Sequence, residues 1–128
     1  MVVLDTNIII DHLRQSDKKE TLLMHIATQE VKANLAISVV SVQELYEGVS
    51  TRNKNKEQYL LATIAPLKIL SYTYEVAQIA GEIARDLKRS MELADAAIAA
   101  TALVNGASLL TLNKKHFVGI KDLTLINV

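Results

Sequence analysis

Val2-Val3-Leu4-Asp5-Thr6-Asn7 is the stretch on which the fold turns. Three apolar residues, two of them β-branched, read as a short buried strand, and the polar triplet after them reads as a turn into helix from Ile8 to Arg14. The same unit recurs outward along the chain. Leu35-Ala36-Ile37-Ser38 reads as a second buried strand, and Ser41-Val42-Gln43-Glu44 matches a capping box opening a helix that runs to about Val49. Lys68-Ile69-Leu70-Ser71 is a weak third strand, Ser108 to Leu112 a clear fourth, and Leu123-Thr124-Leu125-Ile126 a last one.

Helical patterns fill the intervals. Lys18 to Lys32 places Leu22, Leu23, Ile26 and Ala27 on one face. After a polar, basic loop from Thr51 to Lys56, a further helix runs until Pro66, the single proline. Glu75 to Arg89 aligns Val76, Ile79, Ala80, Ile83 and Leu87, and the alanine-rich stretch Ala94 to Asn105 is closed by Gly106. Short apolar strands alternating with helices predict an α/β fold: a central, mostly parallel sheet of about five strands flanked by helices. With neither repeat nor low-complexity linker, residues 1–128 are expected to form one domain.

Composition narrows the function. Half the residues are apolar, but only four tyrosines and one phenylalanine are aromatic, so aliphatic side chains must fill the core. Fourteen basic residues balance fourteen acidic ones, which argues against a protein that coats nucleic acid by bulk charge. The absence of cysteine excludes disulfides and thiolate metal sites. Val2-Val3-Leu4-Asp5 meets an acid too early for a signal peptide, and no apolar run approaches the roughly 18 residues of a membrane span. A cytoplasmic protein is expected.

In open parallel sheets, ligands bind beyond the carboxyl ends of the strands. Asp5 sits where the first strand stops, Glu44 on the first turn of the helix after the second, and Thr111 and Asn113 at the end of the fourth. Asp95 opens the helix that leads into that fourth strand. Converging carboxylates repel one another unless a cation lies among them, and a hard ion such as Mg²⁺ or Mn²⁺ prefers oxygen ligands. Each acid also suits a purely structural role. Asp5 is a good N-cap, Glu44 completes a capping box, and Asp95 complements a helix dipole. Asp11 stays in view through its nearness to the first strand.

The chain also resembles a known family. Leu4-Asp5-Thr6-Asn7-Ile8-Ile9-Ile10-Asp11 looks like the opening motif of PIN domains, especially the VapC-type toxins. Ser38 to Gly48, with Glu44 followed by Gly48, is similar to the second motif. Leu93-Ala94-Asp95-Ala96-Ala97-Ile98-Ala99-Ala100 resembles the third, and Leu109-Leu110-Thr111-Leu112-Asn113-Lys114-Lys115-His116-Phe117 the fourth. The four stand in family order across nearly the whole chain.

The resemblance implies a PIN-like fold and an Mg²⁺- or Mn²⁺-dependent endoribonuclease with Asp5, Glu44 and Asp95 as its metal-site acids. Thr6 matches a position whose hydroxyl orients the cluster. Asn113 falls where many PIN nucleases carry another aspartate, which points to a one-metal site. Glu92 is a stand-in acid, since the segment before the third motif lacks the family's usual Gly- or Pro-containing turn, and His116 lies close to the site in sequence. Arg52, Lys54, Lys56, Lys114 and Lys115 are candidates to hold an RNA backbone. Scarce aromatics favour recognition of RNA by shape, as in a structured loop of tRNA or ribosomal RNA. The resemblance further implies a VapB-like antitoxin that occludes the cleft, and a homodimer. The rival readings are a PIN nuclease of RNA processing or DNA repair, and a catalytically silent PIN scaffold that binds RNA or a partner protein.

Overall fold

The computed structural model describes residues 1–15, 20–31 and 34–127. In chain order it contains β1 (Val2–Leu4), α1 (Thr6–Arg14), α2 (Leu22–Gln29), β2 (Leu35–Ser38), α3 (Val39–Glu47) and α4 (Lys54–Ile64). These are followed by β3 (Lys68–Leu70), α5 (Tyr74–Asp86), α6 (Leu93–Val104) and β4 (Ser108–Leu110). Single 3₁₀ turns cover Val49–Arg52 and Lys114–His116. Both ends of the helix expected from Lys18 to Lys32 fall outside the described residues.

All strand pairings are parallel, in the order β3-β2-β1-β4. The carboxyl ends of all four strands therefore share one edge. The two strands beside β1 follow it at positions 35 and 108, so β1 divides the sheet where the direction of winding reverses, the place where open α/β sheets form a crevice. The sheet has four strands rather than five. Leu123 to Ile126 meets it at one bridge, Leu109 to Leu125, with Leu109 N–H donating to Thr124 O at 2.8 Å and Ile126 N–H to Leu109 O at 2.9 Å. The chain arrives there through Gly119 and Asp122, both at positive φ, and only one residue comes into register.

Side chains alternate across the strands, and the two faces carry different cores. Val2, Leu4, Leu35, Ile37 and Leu110 pack with Ile8, Ile9, Leu23, Ile26, Leu45, Leu60 and Ile64. On the opposite face, Val3, Ala36 and Leu109 meet Ile98, Ala99, Ala102 and Phe117. Each large aliphatic side chain so buried contributes about 1.5–3 kcal/mol against the entropy of ordering the chain. Helix α6 is buried from Ala96 through Ala102. Its alanines let it lie close to the sheet while α5 packs Val76 and Ala80 against Ala96 and Ala100. The helix ends in a left-handed residue, Gly106 at φ +62°, whose geometry lets Ala107 N–H reach Ala102 O at 2.9 Å.

Two local expectations are corrected. The cap of α3 is Ser38, whose hydroxyl accepts from Val40 N–H at 3.1 Å. The helix thus begins directly at the strand end, Ser41 lies inside its first turn, and the capping-box role assigned to Glu44 disappears. The polar stretch from Thr51 to Lys56 is not a plain loop: Asn53 caps α4 by accepting from Lys56 N–H at 3.1 Å.

Candidate active site

Asp5 follows the last residue of β1 and is 6 % exposed. Its two oxygens do separate work. Oδ1 accepts from Thr6 N–H at 2.8 Å, which caps α1, and Oδ2 accepts from the Thr111 hydroxyl at 2.7 Å, beyond the end of β4. Helix cap and candidate site residue are therefore one position. Burial pushes its carboxyl above the ordinary range, the bonds from Thr111 and Thr6 oppose that rise, and the charge of Asp95 adds to it.

Glu44 stands in the second turn of α3, half-buried. Thr6 Oγ1 lies 2.6 Å from Glu44 Oε1 and 2.7 Å from Ser41 Oγ. With a single proton to give, the Thr6 hydroxyl donates to the carboxylate and accepts from Ser41. The residue after Asp5 thus ties α1 to α3 and aims the second acid.

Asp95 lies in the first turn of α6, which begins at Leu93 with Glu92 at the cap position. His116 Nδ1 is 3.2 Å from Asp95 Oδ2. Burial raises the Asp95 carboxyl, His116 opposes, and the charges of Glu92 and Glu44 raise it further. Asp95 thus feels the charges of Glu92 and Glu44, and its own charge reaches Asp5.

Among the described residues, no group of three His, Cys, Asp or Glu side chains closes around one point in the manner of a preformed metal cage. Each carboxylate leans instead on a protein donor: Asp5 on Thr6 and Thr111, Glu44 on Thr6, Asp95 on His116. That arrangement fits a hard cation of the Mg²⁺ type, which is held by one or two carboxylates and keeps several waters. Two carboxyls raised by burial and by the charge of neighbouring acids are the electrostatic state that such a cation relieves.

The remaining sequence candidates divide. Thr111 is buried and bonded to Asp5, while its Oγ1 also accepts from Asn113 N–H at 2.9 Å. Asn113 is exposed and opens the 3₁₀ turn that carries His116. Glu92 is exposed and makes no cap bond with its side chain. Lys56 lines a groove of about 610 Å³ between α1, α3 and α4, beside Glu44. Arg52 and Lys54 are exposed outside that groove, and Lys115 is exposed on the 3₁₀ turn. Lys114 is engaged elsewhere, its Nζ donating to Asn127 Oδ1 at 2.7 Å. Asp11 accepts from the side chain of Gln15, the residue that caps the C-terminal end of α1.

Four residues were not singled out from sequence. Ser41 completes the Thr6 bond pair. Asn7 Oδ1 accepts from Leu112 N–H at 3.3 Å and fixes the chain leaving β4. Arg14 joins Lys56 on the groove, whose floor is Ile10, Leu13, Leu45 and Leu60. Arg89 grips the 3₁₀ turn. Asn7 carried a signal, a polar residue two positions after the strand-end acid. Ser41 had one too, a small polar residue one helical turn before Glu44.

The family model for the PIN domain matches residues 2–122. Ribonuclease VapC10 of Mycobacterium tuberculosis is 35 % identical over 120 residues, covering 91 % of this chain and 86 % of that protein. Among solved structures, VapBC2 from Rickettsia felis, bound to a DNA fragment from its promoter, superposes with a TM-score of 0.84. It is 24 % identical and covers 100 % of this chain and 99 % of its own. VapBC-1 from nontypeable Haemophilus influenzae gives a TM-score of 0.81 at 26 % identity, with 99 % and 98 % covered. With its motif residues gathered at the carboxyl edge of a parallel sheet, the chain belongs to the PIN domain family, in its VapC group.

Proposed function

We propose that this chain is an Mg²⁺- or Mn²⁺-dependent endoribonuclease, the toxin of a type II toxin–antitoxin pair, working in the cytoplasm. The observation that carries the reading is the approach of Asp5, Glu44 and Asp95 from three separate segments to one sheet edge, in a relative of a named ribonuclease. Asp5 and Asp95 would supply the metal's direct carboxylate oxygens, and Glu44 a direct or water-mediated one. A bound cation of this class polarises the phosphoryl oxygen, acidifies its water and offsets charge on the leaving oxygen. Thr6 and Thr111 hold Glu44 and Asp5 in direction, so little rearrangement is needed when substrate arrives. In-line attack by water leaves a 5′-phosphate and a 3′-hydroxyl. With asparagine at position 113 the site has three carboxylates, which supports one metal rather than two.

Arg14 and Lys56 beside Glu44 are suited to backbone phosphates. The substrate class is structured RNA, of the tRNA or ribosomal RNA kind, and the working unit is a homodimer. The apolar floor of the groove, ending at Glu44, suits a VapB-like antitoxin segment whose tail covers the acids. The solved relative from Haemophilus influenzae is itself a VapBC structure.

The test incubates structured RNA with the purified chain and Mg²⁺ or Mn²⁺, with EDTA and Asp95→Asn as controls. Cleavage abolished by both controls supports the enzyme. Cleavage that survives Asp95→Asn means that other acids do the work. The exposed Asn113, in place of a fourth carboxylate, favours one second reading, a silent scaffold; RNA binding without cleavage would establish it.

A further inference from the structure

The segment after β4 reaches two of the three acids at once. Thr111 donates to Asp5 Oδ2, and five residues later His116 meets Asp95 Oδ2. Its entry is fixed by Asn7, which accepts from Leu112 N–H, and by the Thr111 hydroxyl, which accepts from Asn113 N–H. Its exit is fixed by one side chain. Arg89 Nη2 donates to the carbonyl oxygen of His116 at 2.9 Å and to that of Val118 at 2.8 Å.

Helix α5 is predicted from sequence to run through Arg89, but it stops at Asp86, and Leu87 turns extended at φ −73°, ψ 135°. Arg89 is thereby released from the helix onto the neighbouring turn. It lines a cavity of about 340 Å³ together with Glu92, Asp95 and His116, yet it forms no ion pair among the described residues. A guanidinium that lies beside two acids and grips two backbone carbonyls is committed to chain geometry. One residue whose carbonyl it grips is the residue whose ring meets Asp95.

We propose that Arg89 is a positioning residue: by clamping the 3₁₀ turn Lys114–His116 it holds the His116 ring against Asp95, and so fixes the direction in which Asp95 offers its other oxygen to a metal. The inference rests on the reading of Asp95 as a metal ligand. Released from the clamp, the half-exposed His116 ring leaves Asp95, and repulsion from Glu44 and Glu92 turns that carboxylate outward. Groups that orient a ligand in this way typically change metal affinity about 10–100-fold when removed.

The experiment titrates Mn²⁺ calorimetrically into the wild type, Arg89→Ala, Arg89→Lys, His116→Ala and the Arg89→Ala/His116→Ala double variant, with RNA cleavage kinetics alongside. Arg89→Ala and His116→Ala should each weaken Mn²⁺ binding about tenfold. They should lower kcat at limiting Mn²⁺, leave KM for RNA within about twofold, and leave the metal-free Tm within about 2 °C. The double variant should be no worse than the weaker single one, because both act through one contact. Arg89→Lys, able to reach one carbonyl, should recover part of the loss. Additive losses overturn the clamp, as does a raised KM with intact Mn²⁺ affinity, or a loss tracked by a falling metal-free Tm. A wild type that neither binds Mn²⁺ nor cleaves RNA removes the ligand role of Asp95 and the clamp with it. A wild type that does both, with Arg89→Ala unchanged, removes the clamp alone.

Discussion

Replacing Thr6 by valine keeps the side-chain volume and deletes one hydroxyl that serves two partners. Thr6 is 5 % exposed and Ser41 fully buried, so water cannot enter to replace what is lost between them. Glu44 loses a bond of 2.6 Å to a charged acceptor, a class worth about 1.5–3 kcal/mol. Ser41 loses the acceptor for its buried hydroxyl, at about 1–3 kcal/mol. Glu44 is half-buried and recovers some hydration, and the added methyl contributes under about 1 kcal/mol. The net expectation is a loss of about 2–3 kcal/mol, or about 8–12 °C in Tm for a chain of this size. Ser41→Ala leaves the bond to Glu44 standing and should cost about 1 kcal/mol. The double variant has no stranded hydroxyl, so it should lose less than the sum of the singles by about 1 kcal/mol. Urea unfolding of the metal-free chain and the three variants measures the cycle. Strict additivity, or a Thr6→Val protein within about 0.5 kcal/mol of wild type, would refute the shared-proton geometry.

Two further outcomes concern pH. Since burial holds the Asp5 carboxyl above its ordinary 3.8, the folded state binds that proton more tightly, and the stability this group provides below 3.8 is lost as pH rises through the folded value. Metal-free Asp5→Asn should therefore be more stable than wild type at pH 8, with the difference vanishing toward pH 4. Thermal melts across that range check it, and a less stable variant at pH 8 counts against it. His12 carries the opposite sign. Burial holds it below its ordinary 6.5 against the pull of Asp11, so its contribution is present above 6.5 and is lost as pH falls through 6.5 toward the folded value. His12 accepts or donates between Thr21 Oγ1 at 2.7 Å and Tyr59 Oη at 3.2 Å, so His12→Gln should lower stability by about 1 kcal/mol at pH 8 while flattening the decline between pH 7 and 5. An unchanged acid slope in urea titrations would assign that decline to other groups.

The strands were legible because each is a short apolar run bounded by polar residues, and the parallel sheet followed from the helices between them. The error at Leu123 to Ile126 came from the same signal. An apolar run reads as a strand whether or not the preceding turn brings it into register, and here left-handed Asp122 leaves a single bridge. The capping box failed because two serines three residues apart compete for the cap. Ser38, already extended at ψ 146°, ends the strand and starts the helix at once. That choice rests on where β2 stops, which no local pattern states. The candidate acids were picked from their place at strand ends and helix starts and from motif order. Their partners were not, since Thr111 and Asp5 are separated by 106 positions and Arg89 reaches His116 across 27.

The position of β1 also sets a schedule. β1 leads the chain, yet it lies between β2 and β4, and one of its neighbours is the last strand to be synthesised. Asp5 waits for Thr111 and Asp95 for His116, so a growing polypeptide that already carries all three acids still lacks, until residue 116, the side chains that hold two of them. The grip on the 3₁₀ turn is completed later still, at residue 118, where Arg89 finds its second carbonyl. The parallel topology thus makes the segment after β4 a condition for assembling the candidate site.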